Sequence, residues 1–162
     1  MGLGNNVKNF KRNHYSDTSL YQAERALLLF KTYASKFFKD LNLGITSEQF
    51  VLLDNIYCNP GIAQVELSTI ALKFPSNTIR ILKLLENKGL ITKKVGTRKN
   101  YLVKELYITE QGKELIDNNI DKIKNIFDDI LIDFNQDEIE VFKKLVIRLQ
   151  ESCSKNSCLK DI

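Results

Sequence analysis

One histidine, three cysteines, two prolines and no long apolar run are what this 162-residue chain lacks most visibly. His14, Cys58, Cys153 and Cys158 do not read as a structural zinc site, so no metal is expected. An odd cysteine count also argues against a secreted disulfide framework. A Ser-His-Asp or Cys-His device would have to use His14, which lies in a polar leader, so catalysis by those routes is not expected. The longest aliphatic or aromatic run, Ala26 to Phe30, is far short of the roughly 20 residues of a membrane span. The first residues, MGLGNNVKNFKRNHYSD, contain no apolar core like that of a signal peptide. A cytoplasmic protein without a cofactor and without membrane partners is therefore expected.

What is present is an ordinary 43% of apolar residues and an uneven charge. Residues 1–60 carry a net +2, residues 61–104 a net +7 and residues 105–162 a net −5. A basic block confined to the middle third favours a polyanion that meets one region only.

The periodicity is mostly helical. Leu27, Phe30, Ala34, Phe37 and Leu41 form one face of a helix over about 18–41, which Asn42-Leu43-Gly44 stops. Thr46 and Gln49 have capping-box spacing for a second helix to about Tyr57, and Asn59-Pro60-Gly61 is a turn. A short helix over about 64–73 buries Leu67, Ile70 and Ala71. Pro75 opens a fourth to about Lys88, with Ile79, Leu82 and Leu85 inward and Gly89 beyond its end. Residues 90–95 and 101–108 are strand-like around a polar turn, Gly96 to Asn100, which predicts a hairpin with a basic tip. Thr109 then caps a long helix with a heptad-like stripe from Ile116 to Phe134. Asn135 and Glu138 open a last helix with Phe142, Leu145 and Leu149 inward.

Helix-turn-helix followed directly by a two-stranded wing is a winged helix. The fold class is thus mainly α with a small β-hairpin wing, flanked by N- and C-terminal dimerisation helices. The expected divisions are a flexible leader (1–17), a domain (18–152) and a tail (153–162). Within the domain, residues 45–109 form the winged helix-turn-helix, and residues 18–41 and 110–152 form the dimerisation helices. The flanking stripes have too little chain to cover them and predict pairing with a second copy. In such a domain the second helix of the motif enters the major groove. Ser76, Asn77, Thr78, Arg80 and Lys83 lie on that helix, where arginine can read guanine and asparagine adenine. Residues 88–104 contain six basic groups and no acidic one. Lys93, Lys94, Thr97, Arg98 and Lys99 of the wing would then straddle the backbone and reach a minor groove.

From Leu43-Gly44-Ile45-Thr46 to Thr109-Glu110-Gln111-Gly112 the chain resembles the MarR family of bacterial transcription regulators. The resemblance rests on Asn59-Pro60-Gly61-Ile62, Gln64-Val65-Glu66-Leu67, Asn77-Thr78-Ile79-Arg80, Glu86-Asn87-Lys88-Gly89-Leu90-Ile91 and Ile108-Thr109-Glu110-Gln111-Gly112. With the flanking helices it covers roughly residues 18–152. Two departures stand out: Ala63 replaces the usual Ser or Thr cap, and the wing lacks the family's Asp-x-Arg pair.

The resemblance implies a homodimeric repressor on a pseudo-palindromic double-stranded operator, released by a small-molecule or oxidative signal. It also implies a pocket for a small aromatic effector, which Tyr33, Phe37, Phe38 and Tyr57 would line. Cys58, Cys153 and Cys158 are the candidate redox residues. The rival readings are a winged-helix protein-interaction module that does not bind DNA and, more remotely, a thiol enzyme.

Overall fold

The computed structural model of the protein describes residues 14–98 and 100–156. They separate into two compact units at Gly44. The first unit carries α1 (Ser19–Asp40), preceded by a single 3-10 turn, Tyr15–Asp17. The Thr18 hydroxyl caps α1, accepting from the Tyr21 N–H and donating to the Tyr15 carbonyl. Ala34 and Phe38 are buried, whereas Leu27, Leu28, Leu29 and Tyr33 remain exposed.

The second unit, from Ile45, contains α2 (Ser47–Cys58), β1 (Ile62–Ala63), α3 (Gln64–Ile70), α4 (Pro75–Asn87), β2 (Ile91–Arg98), β3 (Tyr101–Ile108), α5 (Glu110–Asp117), α6 (Ile120–Ile130) and α7 (Gln136–Asn156). The expected capping box opens α2: the Gln49 N–H donates to Thr46 Oγ1, and the Thr46 N–H to Gln49 Oε1. An equivalent reciprocal pair, Asn135 and Glu138, opens α7. Thr109 caps α5 by accepting from the Gly112 N–H, and its own hydroxyl donates to the Gly89 carbonyl at 2.7 Å. Gly89 adopts φ +69° beyond the end of α4, which only a residue free of Cβ strain takes readily.

The sheet is antiparallel with order β1-β3-β2. Ile91 faces Ile108 and Arg98 faces Tyr101, so the ladder runs the full length of the hairpin. Its base packs on α5 at Gly112, where a Cβ would stand 2.3 Å from the Leu90 carbonyl oxygen. The fully buried apolar side chains are Leu52, Leu53 and Ile56 of α2, Leu67 of α3, Ile81, Leu82 and Leu85 of α4, Ile91 and Leu106 of the sheet, and Ile116 of α5. Four helices and one sheet face thus share a core that fixes α4 and the hairpin beside one another.

Several expectations are corrected. The sheet has a third strand, β1, whose two residues are too short to leave a periodic signal. Helix α3 ends at Ile70 instead of near Lys73, because Leu72 turns to φ +48°. The Lys73 N–H then reaches back to the Ser68 carbonyl, in a Schellman-like closure. Strand β2 continues through Arg98 and absorbs most of the expected polar tip. The long helix after the wing is two helices, broken at Asn118 and Asn119. Helix α7 runs to Asn156, past the expected end. Phe142, Leu145 and Leu149, expected inward, are 58%, 53% and 38% exposed.

Candidate nucleic-acid interface

The presentation of α4 begins with the turn that precedes it. Leu72 reverses the chain, Lys73 pairs with Glu48 of α2 at 3.0 Å, and Phe74 takes the N-cap position. Pro75 at the first helical position has no N–H to satisfy and a φ already suited to the helix. From there Thr78, Ile81, Leu82 and Leu85 follow the i, i+3, i+4, i+7 pattern and are buried. The opposite face carries Ser76, Arg80 and Lys83, all exposed, with Asn77 half-buried beside them. An Arg80 guanidinium N–H donates to Asn77 Oδ1 at 3.0 Å, which holds the arginine against its own helix.

Four of the five expected α4 residues therefore share an accessible surface, and Thr78 does not. Its hydroxyl is fully buried on the core side, with no hydrogen-bond partner among the described residues. Ile79, expected in the core, is instead 49% exposed and adjoins Arg80 on the outer side.

The wing is less free than its charge suggests. Lys93 Nζ lies 2.6 Å from a Glu86 carboxylate oxygen, and the Lys94 ammonium sits 4.9 Å from the centre of the Tyr107 ring. Arg98, expected at the DNA, is folded back onto α3. Its Nη1 donates to both Glu66 carboxylate oxygens at 2.7 and 2.8 Å, its Nη2 to the Gly61 carbonyl, and its Nε lies 3.6 Å from Glu105. Glu66 also accepts from the Ala63 N–H at 3.0 Å, so it replaces the missing Ser or Thr at the start of α3 with the reciprocal half of a capping box. That backbone donor and the guanidinium hold the Glu66 carboxyl below its ordinary pKa, and the ion pair raises that of Arg98. The Tyr107 hydroxyl donates to Glu105 at 3.0 Å, which pushes its own ionisation upward. Thr97 is exposed, and Lys99 lies outside the described residues.

Glu86 and Glu105 fall just outside the acid-free window 88–104 and Glu66 lies well before it, so a linear charge count could not foresee them. Of these, Glu66 and its partner Arg98 line an open groove of about 630 Å³, together with Asn59, Pro60, Val65, Thr69 and Ile70. None of the residues expected to hold an effector lines it. Tyr33, Phe37 and Phe38 belong to α1, where the Phe37 and Phe38 rings meet edge to face at 6.3 Å. Tyr57 belongs to α2; its hydroxyl points to an Asp117 oxygen 3.4 Å away, and that carboxylate raises its pKa. Cys58 at the end of α2 and Cys153 on α7 are exposed free thiols, and Cys158 lies outside the described residues. Among the described residues no group of His, Cys, Asp and Glu is placed to hold a metal, and no helix is long and apolar enough to cross a membrane.

Residues 45–97, from two residues before α2 through most of β2, match the family model described as MarR family. Over these residues the chain is similar to the MarR family. A 78-residue stretch is 38% identical to the uncharacterized HTH-type transcriptional regulator YybA of Bacillus subtilis (strain 168). That match covers 48% of this chain and spans only about half of the relative, 50% of its length. The fold of a SlyA-like transcription regulator from Listeria monocytogenes superposes with a TM-score of 0.73 and 28% identity, over 86% of this chain and 91% of that one. The MepR–DNA complex of S. aureus aligns with a TM-score of 0.72 over 86% of this chain and 99% of that one; at 19% identity the likeness is one of fold. These relatives are described as regulators, and residues 45–108 here form a winged helix-turn-helix of the same fold.

Proposed function

We propose that this protein is a homodimeric MarR-family regulator that binds double-stranded DNA sequence-specifically, through α4 in the major groove and the β2–β3 wing alongside. The observation that carries the reading is the outer face of α4, where Ser76, Asn77, Arg80 and Lys83 stand together in the segment whose net charge is +7. Asparagine and arginine are the side chains suited to adenine and guanine edges, and the wing lysines suit phosphate. The fold likeness to MepR, solved in complex with DNA, supports the same use of the domain. Two-fold pairing would place two α4 helices about one DNA turn apart, on a pseudo-palindromic operator.

Repression, relieved when a small aromatic ligand or an oxidant shifts the spacing of the two α4 helices, is the regulatory form we propose. Tyr33, Phe37, Phe38 and Tyr57 are the candidate ligand contacts, and Cys58, Cys153 and Cys158 the candidate thiols.

The decisive experiment selects duplexes from a random pool with the purified protein and titrates the winners by fluorescence anisotropy at several salt concentrations. Selective binding is expected, with a slope of log affinity against log salt near −5 for about six phosphates per dimer. Arg80→Ala should weaken binding about 10- to 100-fold and relax specificity at one position per half-site. Equal, weak binding to selected and scrambled duplexes would instead favour an interaction module for a protein partner.

A further inference from the structure

The outer side of α4 contains an apolar element that the polar contacts do not use. Ile79 is 49% exposed; Phe74 and Leu72, in the turn before the helix, are 64% and 78% exposed. Ile79 lies three residues after Ser76 and four before Lys83, so it shares their side of the helix and adjoins Arg80. Single exposed apolar residues are common on any surface. These three differ in occurring within eight residues, inside the most basic segment of the chain, at two positions where local structure favours something else. Phe74 occupies an N-cap with no side-chain hydrogen bond, where Ser, Asn or Asp would cap the helix better. Leu72 adopts φ +48°, a conformation that suits glycine or asparagine. Local helix stability therefore does not explain the choice of residues at this end of α4.

A surface that is both cationic and apolar fits the floor of a DNA major groove. Thymine is the one base whose groove edge carries an apolar group, its 5-methyl, and apolar side chains read it by contact. We propose that Ile79, with Phe74 at the leading end of α4, reads thymine methyl groups in each half-site, next to the base that Arg80 recognises. The operator then carries a thymine at a fixed step from the Arg80 contact, and a cytosine or a uracil there binds less well. This inference rests on the proposal that α4 enters the major groove, and it adds a specificity that hydrogen-bond donors alone do not supply.

The test uses the duplex recovered by selection. Each thymine is replaced in turn by deoxyuridine, symmetrically in both half-sites, which removes one methyl per strand position and leaves every Watson–Crick hydrogen bond intact. For the wild-type protein, one or two positions should show a loss of about fourfold per half-site, the equivalent of one buried methyl, and so about 16-fold per operator. Ile79→Ala should bind the thymine duplex more weakly than wild type and no longer distinguish it from the uracil duplex at one of those positions. Phe74→Ala should do the same at a neighbouring one. Both side chains are solvent-exposed, and a thermal melt within a few degrees of wild type shows that the variants fold. If the wild type binds selectively but every thymine tolerates loss of its methyl, or if discrimination survives in both variants, the inference is overturned while the regulator reading stands. If no duplex is selected from the pool, the regulator reading fails and the inference fails with it.

Discussion

Thr78 and Ile79 are neighbours whose environments are the reverse of their hydropathy. Reading Ile79, Leu82 and Leu85 as one inward face takes steps of three residues, and each such step falls 60° short of a full turn, so the pattern drifts around the helix. The observed core set is Thr78, Ile81, Leu82 and Leu85, in which a threonine holds the first place. Its Oγ1 has no partner among the described residues, so the hydroxyl has given up water without replacement. Thr78→Val, which keeps the shape and removes the polar atom, should therefore raise unfolding stability by about 1 kcal/mol, visible as a higher denaturant midpoint at unchanged slope. DNA affinity should not change, since the side chain is fully enclosed. A weaker variant would mean that the hydroxyl is satisfied in solution. The outward placement of Ser76, Asn77, Arg80 and Lys83 was legible from residue type and spacing, because a charged or amide side chain beside a core stripe has nowhere to go but outward.

At the scale of elements, capping and turn chemistry were the most legible features. Thr46 with Gln49, Asn135 with Glu138, Thr109, Pro75 and Gly89 each act through neighbours in sequence, so their spacing alone reveals them. Contacts between elements were not. The stripe of Ile116, Ile120 and Ile123 keeps its 4 and 3 spacing across the break between α5 and α6, so periodicity could not reveal the break. Nor could linear charge counting reveal that Arg98 crosses from β2 to Glu66 of α3. That clamp sets two properties of the wing. Glu66 is held below its ordinary pKa of 4.5, so the pair adds stability that is present above that value and is lost as pH falls through the lower, folded-state value. Glu66→Gln keeps an acceptor for the Ala63 N–H but removes the charge. It should flatten the dependence of thermal stability on pH below about 4.5 and lower stability at neutral pH by what the pair contributes there. At neutral pH it also frees Arg98 for phosphate. One added cation per protomer would steepen the salt slope from about −5 to about −7. An unchanged slope would mean that Arg98 serves to position the wing and does not meet the DNA.

On the scale of the whole molecule, the decisive feature is apolar surface left open among the described residues. Phe134, Val141, Phe142, Leu145 and Leu149 on and before α7 are all 38% exposed or more, and α1 separately exposes Leu27, Leu28 and Leu29. Contiguous apolar faces of this kind mark an interface, and helical repeats facing a second copy bury them without any further partner. A charge placed in such a face cannot be hydrated once it is closed, so Leu145→Glu should shift the protein from dimer to monomer in sedimentation velocity. The consequence for DNA follows from chelation. A dimer docks its second α4 at an effective concentration in the millimolar range, and losing that advantage typically costs 10²- to 10⁴-fold in apparent affinity. The monomeric variant should thus bind the full palindrome no better than an isolated half-site, with a salt slope near −3, about half that of the dimer. Because Leu145 lies on α7, outside the helix-turn-helix and the wing, its α4 surface is unaltered, and half-site specificity should survive. A variant that sediments as a monomer yet keeps full affinity for the palindrome would show that pairing of two chains is not how this domain reads its operator.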